Sequence, residues 1–314
     1  MLSSLSSGSR VAGMCACYVA VNPQLDDFLT LRGLRHHILR WGKPGTGQPT
    51  VVAVHGWMDV GASFQFMADS LLAQGFEGEI VALDWRGFGL SDASGSDAYW
   101  FPDYLGDLDA LLDQLSPDAP VDLLGHSMGG NIAMSYAGVR PQRVRRLINL
   151  EGFGLPDNPP DAAPQRLAQW LDELKEPAQL KPYASLAEVA ARLQKNNPRL
   201  PDDKAAWLAP HWARETAEGY ALRADPVHKR VNPVLYRAAE VDACWRAITA
   251  PTLWVEGADT QVLRWWGGHY RREDFEARLA QVAQLQRRVL PDAGHMLHHD
   301  QPALLAAEVS GFLR

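Results

Sequence analysis

Short apolar runs alternate with amphipathic segments along most of this sequence, and this alternation limits the possible folds more than any other feature. The runs at residues 50–54, 80–83 and 121–124 lack strict polar alternation, which is typical of strands covered on both faces. Segments 64–72 and 104–115 repeat apolar side chains at helical spacing. Strands that alternate with helices predict a mostly parallel sheet with helices on both faces. Further strands are predicted at residues 29–31, 34–41, 147–150, 251–255 and 287–290, and further helices at 274–283 and 302–313.

The alternation stops between residues 152 and 250, where prolines separate amphipathic helices. Two helices are predicted at residues 167–174 and 186–193, and a third begins at Pro201. We therefore predict a mostly helical cap at 152–250, inserted into an α/β core formed by residues 27–151 and 251–314.

The ends and the composition restrict the classes of function. Residues 1–26 are expected to form a flexible leader. A net charge of −7 disfavours a nucleic-acid partner, and no apolar run is long enough to span a bilayer. The cysteines, Cys15, Cys17 and Cys244, form neither a disulfide framework nor a zinc site. This favours a reducing compartment, and we expect a cytoplasmic protein; oligomeric state is beyond the sequence.

A serine bracketed by glycines follows the third of these buried runs. An apolar run at residues 121–124 predicts a strand. It is followed by Gly125-His126-Ser127-Met128-Gly129 and then directly by a predicted helix. This arrangement is a nucleophile elbow, in which a sharp turn exposes a serine hydroxyl and the glycines make room for neighbouring backbone. The turn also directs the backbone N–H of Met128 toward a developing oxyanion. Ser127 is therefore the predicted nucleophile.

Two further segments supply partners for this serine. His295 lies just past the last predicted strand, where a loop can fold it over the sheet, so it is the predicted base. The turn at His55-Gly56-Trp57 follows the first buried strand, and the N–H of Trp57 is the predicted second oxyanion donor. His55 and His126 flank the site with a packing or hydrogen-bonding role. His298, His299 and Asp300 cluster near His295, but no second group of ligands matches them, so neither a metal nor a cofactor is expected.

Taken together, these motifs resemble the α/β-hydrolase superfamily. The resemblance rests on His-Gly-Trp after one strand, Asp84-Trp85-Arg86-Gly87-Phe88-Gly89 after the next, Gly-His-Ser-Met-Gly-Gly, a helical insertion and Gly294-His295. It covers the chain from about residue 29 to the C-terminus, and within the superfamily the sequence is similar to serine hydrolase-like proteins. It implies an eight-stranded, mostly parallel sheet with the cap inserted after the sixth strand.

The resemblance also implies an acid that orients the histidine, and here the sequence departs from the usual pattern. The acid normally follows the seventh strand as Gly-x-x-Asp, whereas this chain has Gly257-Ala258-Asp259, one residue short. Some members use a site after the sixth strand, where this chain has Glu151. Asp259 is the first candidate and Glu151 the alternative. Asp84 is interpreted as the structural ion-pair partner of Arg86.

The predicted chemistry is hydrolysis of small carboxylic esters through an acyl-enzyme. A serine nucleophile favours acyl transfer, whereas related enzymes that open epoxides carry aspartate at the elbow. Hydrolysis of amides, thioesters or carbon–carbon bonds remains open, as does a ligand-binding member of the fold without turnover. Tryptophans of the insertion and Trp265-Trp266 are candidates for an apolar pocket, although core packing explains most of them equally well. The physiological substrate is beyond the sequence.

Overall fold

The computed structural model describes residues 17–314. The strands in this part of the chain are β1 (Leu25–Leu31), β2 (Leu34–Gly42), β3 (Val51–Val54), β4 (Glu79–Leu83), β5 (Val121–His126), β6 (Val144–Leu150), β7 (Ala213–Thr216), β8 (Gly219–Leu222), β9 (Thr252–Gly257) and β10 (Leu285–Leu290). The α-helices are α1 (Gln65–Ala73), α2 (Phe101–Leu115), α3 (Met128–Val139), α4 (Ala163–Glu173), α5 (Leu186–Asn196), α6 (Asp202–Trp212), α7 (Ala238–Arg246), α8 (Arg272–Leu279), α9 (Leu297–Asp300) and α10 (Pro302–Leu313).

Eight of these strands form one sheet in the order β1-β2-β4-β3-β5-β6-β9-β10. β2 runs antiparallel to β1 and β4, and the other neighbours are parallel. The predicted mostly parallel sheet is therefore confirmed. Because parallel strands end at the same edge, the loops after β3, β5, β6, β9 and β10 all lie at one edge of the sheet.

Helices cover both faces of the sheet, as the patterns of β3 and β5 predicted. In β3, Val52 and Val54 pack into the apolar cluster that includes α2 and α3, whereas Val51 and Ala53 pack into the cluster that includes α1 and α10. Successive side chains of a strand point to opposite faces of the sheet. A strand covered by helices on both faces therefore needs apolar residues at every position.

The insertion between β6 and β9 contains helices α4 to α7 and, in addition, a hairpin of β7 and β8 that the sequence analysis did not predict. Each of its strands is only four residues long and carries few β-branched residues, so the strand pattern is weak. α6 begins after Pro201, as predicted, with two aspartates in its first turn.

The end of the expected leader contacts the body of the protein. Asp69 accepts hydrogen bonds from the Tyr18 hydroxyl and from the backbone N–H groups of Val21, at 3.1 Å, and Asn22, at 2.7 Å. β1 begins at Leu25, inside the expected segment 1–26. The attached part is therefore residues 17–26, and residues 1–16 lie outside the described part of the chain. Among residues 17–314, every helix is too short or too polar to cross a bilayer.

Candidate active site

Ser127 occupies a sharp turn between β5 and α3. Its backbone has φ of 53° and ψ of −115°, a region that a non-glycine residue rarely adopts. A Cβ on Gly125 would lie 2.3 Å from the carbonyl oxygen of Gly129, and one on Gly129 would lie 2.2 Å from that of Val54. Both positions thus require glycine, because backbone atoms occupy the space of any side chain.

Three side chains from separate loops form a hydrogen-bonded chain at this turn. His295 Nε2 lies 3.0 Å from Ser127 Oγ, and His295 Nδ1 lies 3.2 Å from Glu151 Oε2. A carboxylate only accepts hydrogen bonds, so Nδ1 carries the ring hydrogen and Nε2 is left as an acceptor for the serine hydroxyl. This is the arrangement that a serine–histidine–acid triad requires.

Glu151 lies at the buried end of this hydrogen-bonded series of side chains and is fully inaccessible to solvent. It follows β6 with φ of 60°, another left-handed conformation. The backbone N–H of Gly257 donates to Oε1 at 2.7 Å, and the Thr260 hydroxyl donates to Oε2 at 2.6 Å. Burial raises the pKa of Glu151, and these two hydrogen bonds lower it, because they favour the charged form that accepts from His295. The fixed donors hold the carboxyl group in place beside the imidazole.

Asp259, the first candidate for the acid, is directed elsewhere. Its carboxylate binds Arg199 at 2.7 Å, and its side chain is 48% exposed. Its backbone N–H donates to the carbonyl oxygen of Ala293, so the short loop after β9 reaches the His295 segment through its main chain and not its carboxylate. On geometric grounds the order of the two candidates is therefore reversed: the structure brings Glu151, and not Asp259, to His295.

The loop that carries His295 is held at two points. His126 Nε2 lies 2.8 Å from the carbonyl oxygen of His295, and Asp300 Oδ2 accepts the backbone N–H of Gly294 at 2.8 Å. Burial lowers the pKa of His295 to about 4, so the ring is neutral near pH 7 and can accept a proton.

The two predicted oxyanion donors flank the serine. Met128 begins α3, where backbone N–H groups have no partner within the helix. A Cβ on Gly56 would lie 3.2 Å from Ser127 Cβ, so the loop that carries Trp57 packs against the serine. Within residues 17–314, the N–H groups of Trp57 and Met128 donate to no protein acceptor. Both are thus available to a ligand.

His55 fixes the direction of the Trp57 N–H. The backbone N–H of Trp85 donates to His55 Nε2 at 3.0 Å, so Nδ1 carries the ring hydrogen and donates to the Gly56 carbonyl oxygen at 2.7 Å. That carbonyl and the Trp57 N–H belong to one trans peptide and point in opposite directions. From the sequence, only a general packing or hydrogen-bonding role could be predicted for His55, because Trp85 lies thirty residues away.

Two tryptophans stand exposed near the site. Trp265 is 61% exposed, and its ring packs edge-on against His295 with the centroids 5.0 Å apart. Trp57 is 53% exposed. By contrast, Trp245 of the insertion is buried beneath Arg278, and Trp207 packs on Phe66. Core packing therefore accounts for Trp245 and Trp207, and Trp265 is the predicted pocket residue that contacts the site.

The expected ion pair between Asp84 and Arg86 is wrong. His37 Nδ1 lies 2.7 Å from Asp84 Oδ2, whereas Arg86 makes two hydrogen bonds of 2.5 Å to Asp107. Both residues lie beyond the end of β4, so strand alternation does not set the directions of their side chains, and each pairs with a residue from another element. Glu256, in β9, pairs with Arg272 at 2.7 Å.

This fold and site define a class of hydrolase, and the comparisons with known proteins agree with it. The family model described as the alpha/beta hydrolase fold matches residues 49–302, so the chain belongs to this family. It is 26% identical to a serine hydrolase-like protein of Dictyostelium discoideum over 290 residues, which cover 87% of this chain and 77% of that protein. It is 29% identical to the 3-hydroxybutyrate-oligomer hydrolase of Cupriavidus necator over 282 residues, which cover 85% and 88%.

Among solved structures, the thioesterase domain from the curacin biosynthetic pathway superposes with a TM-score of 0.78. The two sequences are 28% identical, and the match covers 92% of this chain and 99% of that domain. The chain is therefore a hydrolase of the α/β fold with serine hydrolase-like relatives.

Proposed function

We propose that this protein is a serine carboxylesterase in which Ser127 is the nucleophile, His295 the general base and Glu151 the orienting acid. The observation that carries the proposal is the hydrogen-bonded chain from Ser127 through His295 to Glu151. It combines a strained, half-buried serine with a neutral imidazole whose acceptor nitrogen faces the hydroxyl. These are the features that activate a weak nucleophile.

The geometry supports a two-step reaction. Ser127 Oγ attacks the ester carbonyl while its proton passes to His295 Nε2, and the oxyanion accepts hydrogen bonds from the N–H groups of Trp57 and Met128. The imidazolium that forms is stabilised by Glu151 and then protonates the leaving alcohol. A water molecule activated by His295 next cleaves the acyl-enzyme, which releases the acid and restores Ser127.

The substrate we propose is a small or medium carboxylic ester. The exposed rings of Trp265, which packs against His295, and of Trp57, whose loop packs against Ser127, favour an apolar acyl or alkyl group. The relative from Cupriavidus necator, named as a hydrolase of 3-hydroxybutyrate oligomers, supports ester cleavage. A thioester is the second candidate, because the structural relative from the curacin pathway is named a thioesterase and the same acyl-enzyme serves both leaving groups.

The test is turnover of p-nitrophenyl esters of increasing acyl length, with matched acyl thioesters in parallel. Ser127→Ala should lower kcat by about 10⁴-fold to 10⁶-fold while the protein stays folded, because triad residues act as a unit. Ser135→Ala is the matched control, since it removes a buried serine hydroxyl from α3 that has no hydrogen-bond partner within residues 17–314.

Full activity in Ser127→Ala would overturn the mechanism. A wild-type protein without turnover on every ester and thioester would favour amide or carbon–carbon substrates, or a member of the fold that binds ligand without cleaving it. Preference for thioesters at equal acyl length would select the second candidate.

A further inference from the structure

Behind the catalytic loops, three buried side chains from separate segments point at one another. Asp59 follows the Trp57 turn, His126 precedes Ser127, and His298 lies three residues after His295. One ligand atom from each lies within 4.8 Å of the others, and the three residues are no more than 4% exposed. The rings of His126 and His298 are 4.4 Å apart between centroids.

Atoms of all three side chains lack hydrogen-bond partners. Within residues 17–314, Asp59 Oδ2, His126 Nδ1 and both ring nitrogens of His298 have none. His126 Nε2 donates to the His295 carbonyl oxygen at 2.8 Å, so in the neutral ring Nδ1 is a bare lone pair. A neutral His298 carries one N–H, which can satisfy only one of the two acceptors Asp59 Oδ2 and His126 Nδ1, and a buried polar atom left without a partner is costly.

We propose that Asp59, His126 and His298 form a binding site for a divalent transition-metal ion, with zinc the best match. Two imidazoles and one carboxylate are a donor set that zinc takes, and hard ions such as magnesium prefer oxygen alone. A cation satisfies three converging lone pairs at once. Drawing the side chains to ligand distances of about 2.1 Å needs shifts of at most about 1 Å.

The surroundings of the three ligands match those of a metal site. Ligating histidines usually donate their second ring nitrogen to a carbonyl or carboxylate, as His126 does to His295. Asp59 Oδ1 accepts from the Ser63 hydroxyl and from the Val60 N–H at 2.8 Å, which leaves Oδ2 for the ion. Burying the Asp59 carboxylate with Oδ2 unpartnered is costly, and a cation would relieve this cost.

Such an ion would link the three loops that carry the oxyanion donor, the nucleophile and the base. Its role would be to brace these loops, because none of the three ligands contacts Ser127 Oγ in the hydrogen-bonded chain. The inference is therefore independent of the reaction that the site catalyses.

The test is titration of the chelator-treated protein with Co²⁺, which reports tetrahedral nitrogen and oxygen ligands through its visible absorption. We expect one ion per chain, and paramagnetically shifted proton signals from two imidazoles. His298→Gln and Asp59→Asn should each weaken binding by at least about 100-fold, since even outer partners of a metal site contribute 10-fold to 100-fold. Zn²⁺ at 100 times its Kd should raise the wild-type Tm by about 4 °C.

Two control variants separate this site from other histidines. His269→Gln removes an exposed imidazole and should leave binding unchanged. His295→Ala should also retain the ion, whereas an ion held by His295 and Glu151 would be lost. The inference is overturned if wild type binds no Co²⁺, which would indicate buried water in its place, or if His298→Gln binds as tightly as wild type. The wild-type titration and its imidazole signals decide the matter even if a variant fails to fold.

Discussion

Glu151 and Asp259 follow β6 and β9, which are neighbours in the sheet, yet their surroundings differ in every respect that matters for an acid. Glu151 is fully buried, with three groups held against its two oxygens. Asp259 is half exposed and pairs with one flexible arginine. A charge in water is screened and its side chain is mobile, whereas a buried, hydrogen-bonded carboxyl group is fixed in position and acts strongly on its neighbour. Burial and fixed donors thus distinguish two carboxylates that sequence position alone had ranked in the opposite order.

Among the variants that test this comparison, Glu151→Gln should have the largest effect. The amide keeps the size of the side chain but can present N–H to His295, which favours the wrong tautomer of the imidazole. We expect kcat to fall by about 10³-fold to 10⁴-fold, as in other triads that lose the acid. Ester turnover compared at matched folded fraction, judged by circular dichroism, measures it. If the variant retained more than a tenth of the wild-type activity, Glu151 would not be the acid of the triad.

A smaller loss is expected at the oxyanion donor. His55→Ala frees the Gly56–Trp57 peptide to rotate, so kcat should fall by about 10-fold to 100-fold with little change in KM. His55→Asn places a donor near the position of Nδ1 and should recover most of the loss. Equal losses in kcat from both variants, or a change in KM alone, would contradict a positioning role for His55.

Asp84 extends the comparison to a third strand-end carboxylate, and here the effect should appear in stability and not in turnover. Burial alone would lower the pKa of His37, but its hydrogen bonds and the charges of Asp84 and Asp26 outweigh this and raise it. A raised folded-state pKa stabilises the protein fully below pH 6.5, and this contribution is lost as pH rises through the folded value.

The unfolding free energy should therefore fall more between pH 6 and pH 9 in wild type than in His37→Gln. Urea denaturation at both pH values measures this difference. Parallel pH profiles for the two proteins would mean that His37 is not charged in the folded state.

The smallest effect is expected for Asp259→Asn. The lost contact is an exposed ion pair with Arg199, which contributes about 0–1 kcal/mol to stability. Turnover should stay within about 3-fold of wild type, because the backbone hydrogen bond of Asp259 to Ala293 survives the substitution. The ester assay used for Glu151→Gln provides the direct comparison. If Asp259→Asn lost as much activity as is expected for Glu151→Gln, Asp259 would be the acid of the triad.

Much of the fold was readable from the sequence because its signals are local. The buried runs of β3, β4 and β5 and the helices after them lie within a few residues of one another, and the closing helix occurs at Pro302–Leu313 as predicted. The elbow glycines mark Ser127 because the turn itself excludes side chains. The hairpin β7–β8 was missed because its four-residue strands are set by the packing of the insertion and not by their own pattern.

The sequence by itself determined the alternating architecture and nominated Ser127 and His295, since both follow from patterns within one strand–loop unit. Only the tertiary structure placed Glu151, and not Asp259, beside His295, and only it brought Asp59, His126 and His298 together. These groups are separated by up to hundreds of residues along the chain. Their distances and burial depend on how whole strands and loops pack, and nothing in the local spacing of residues records that packing.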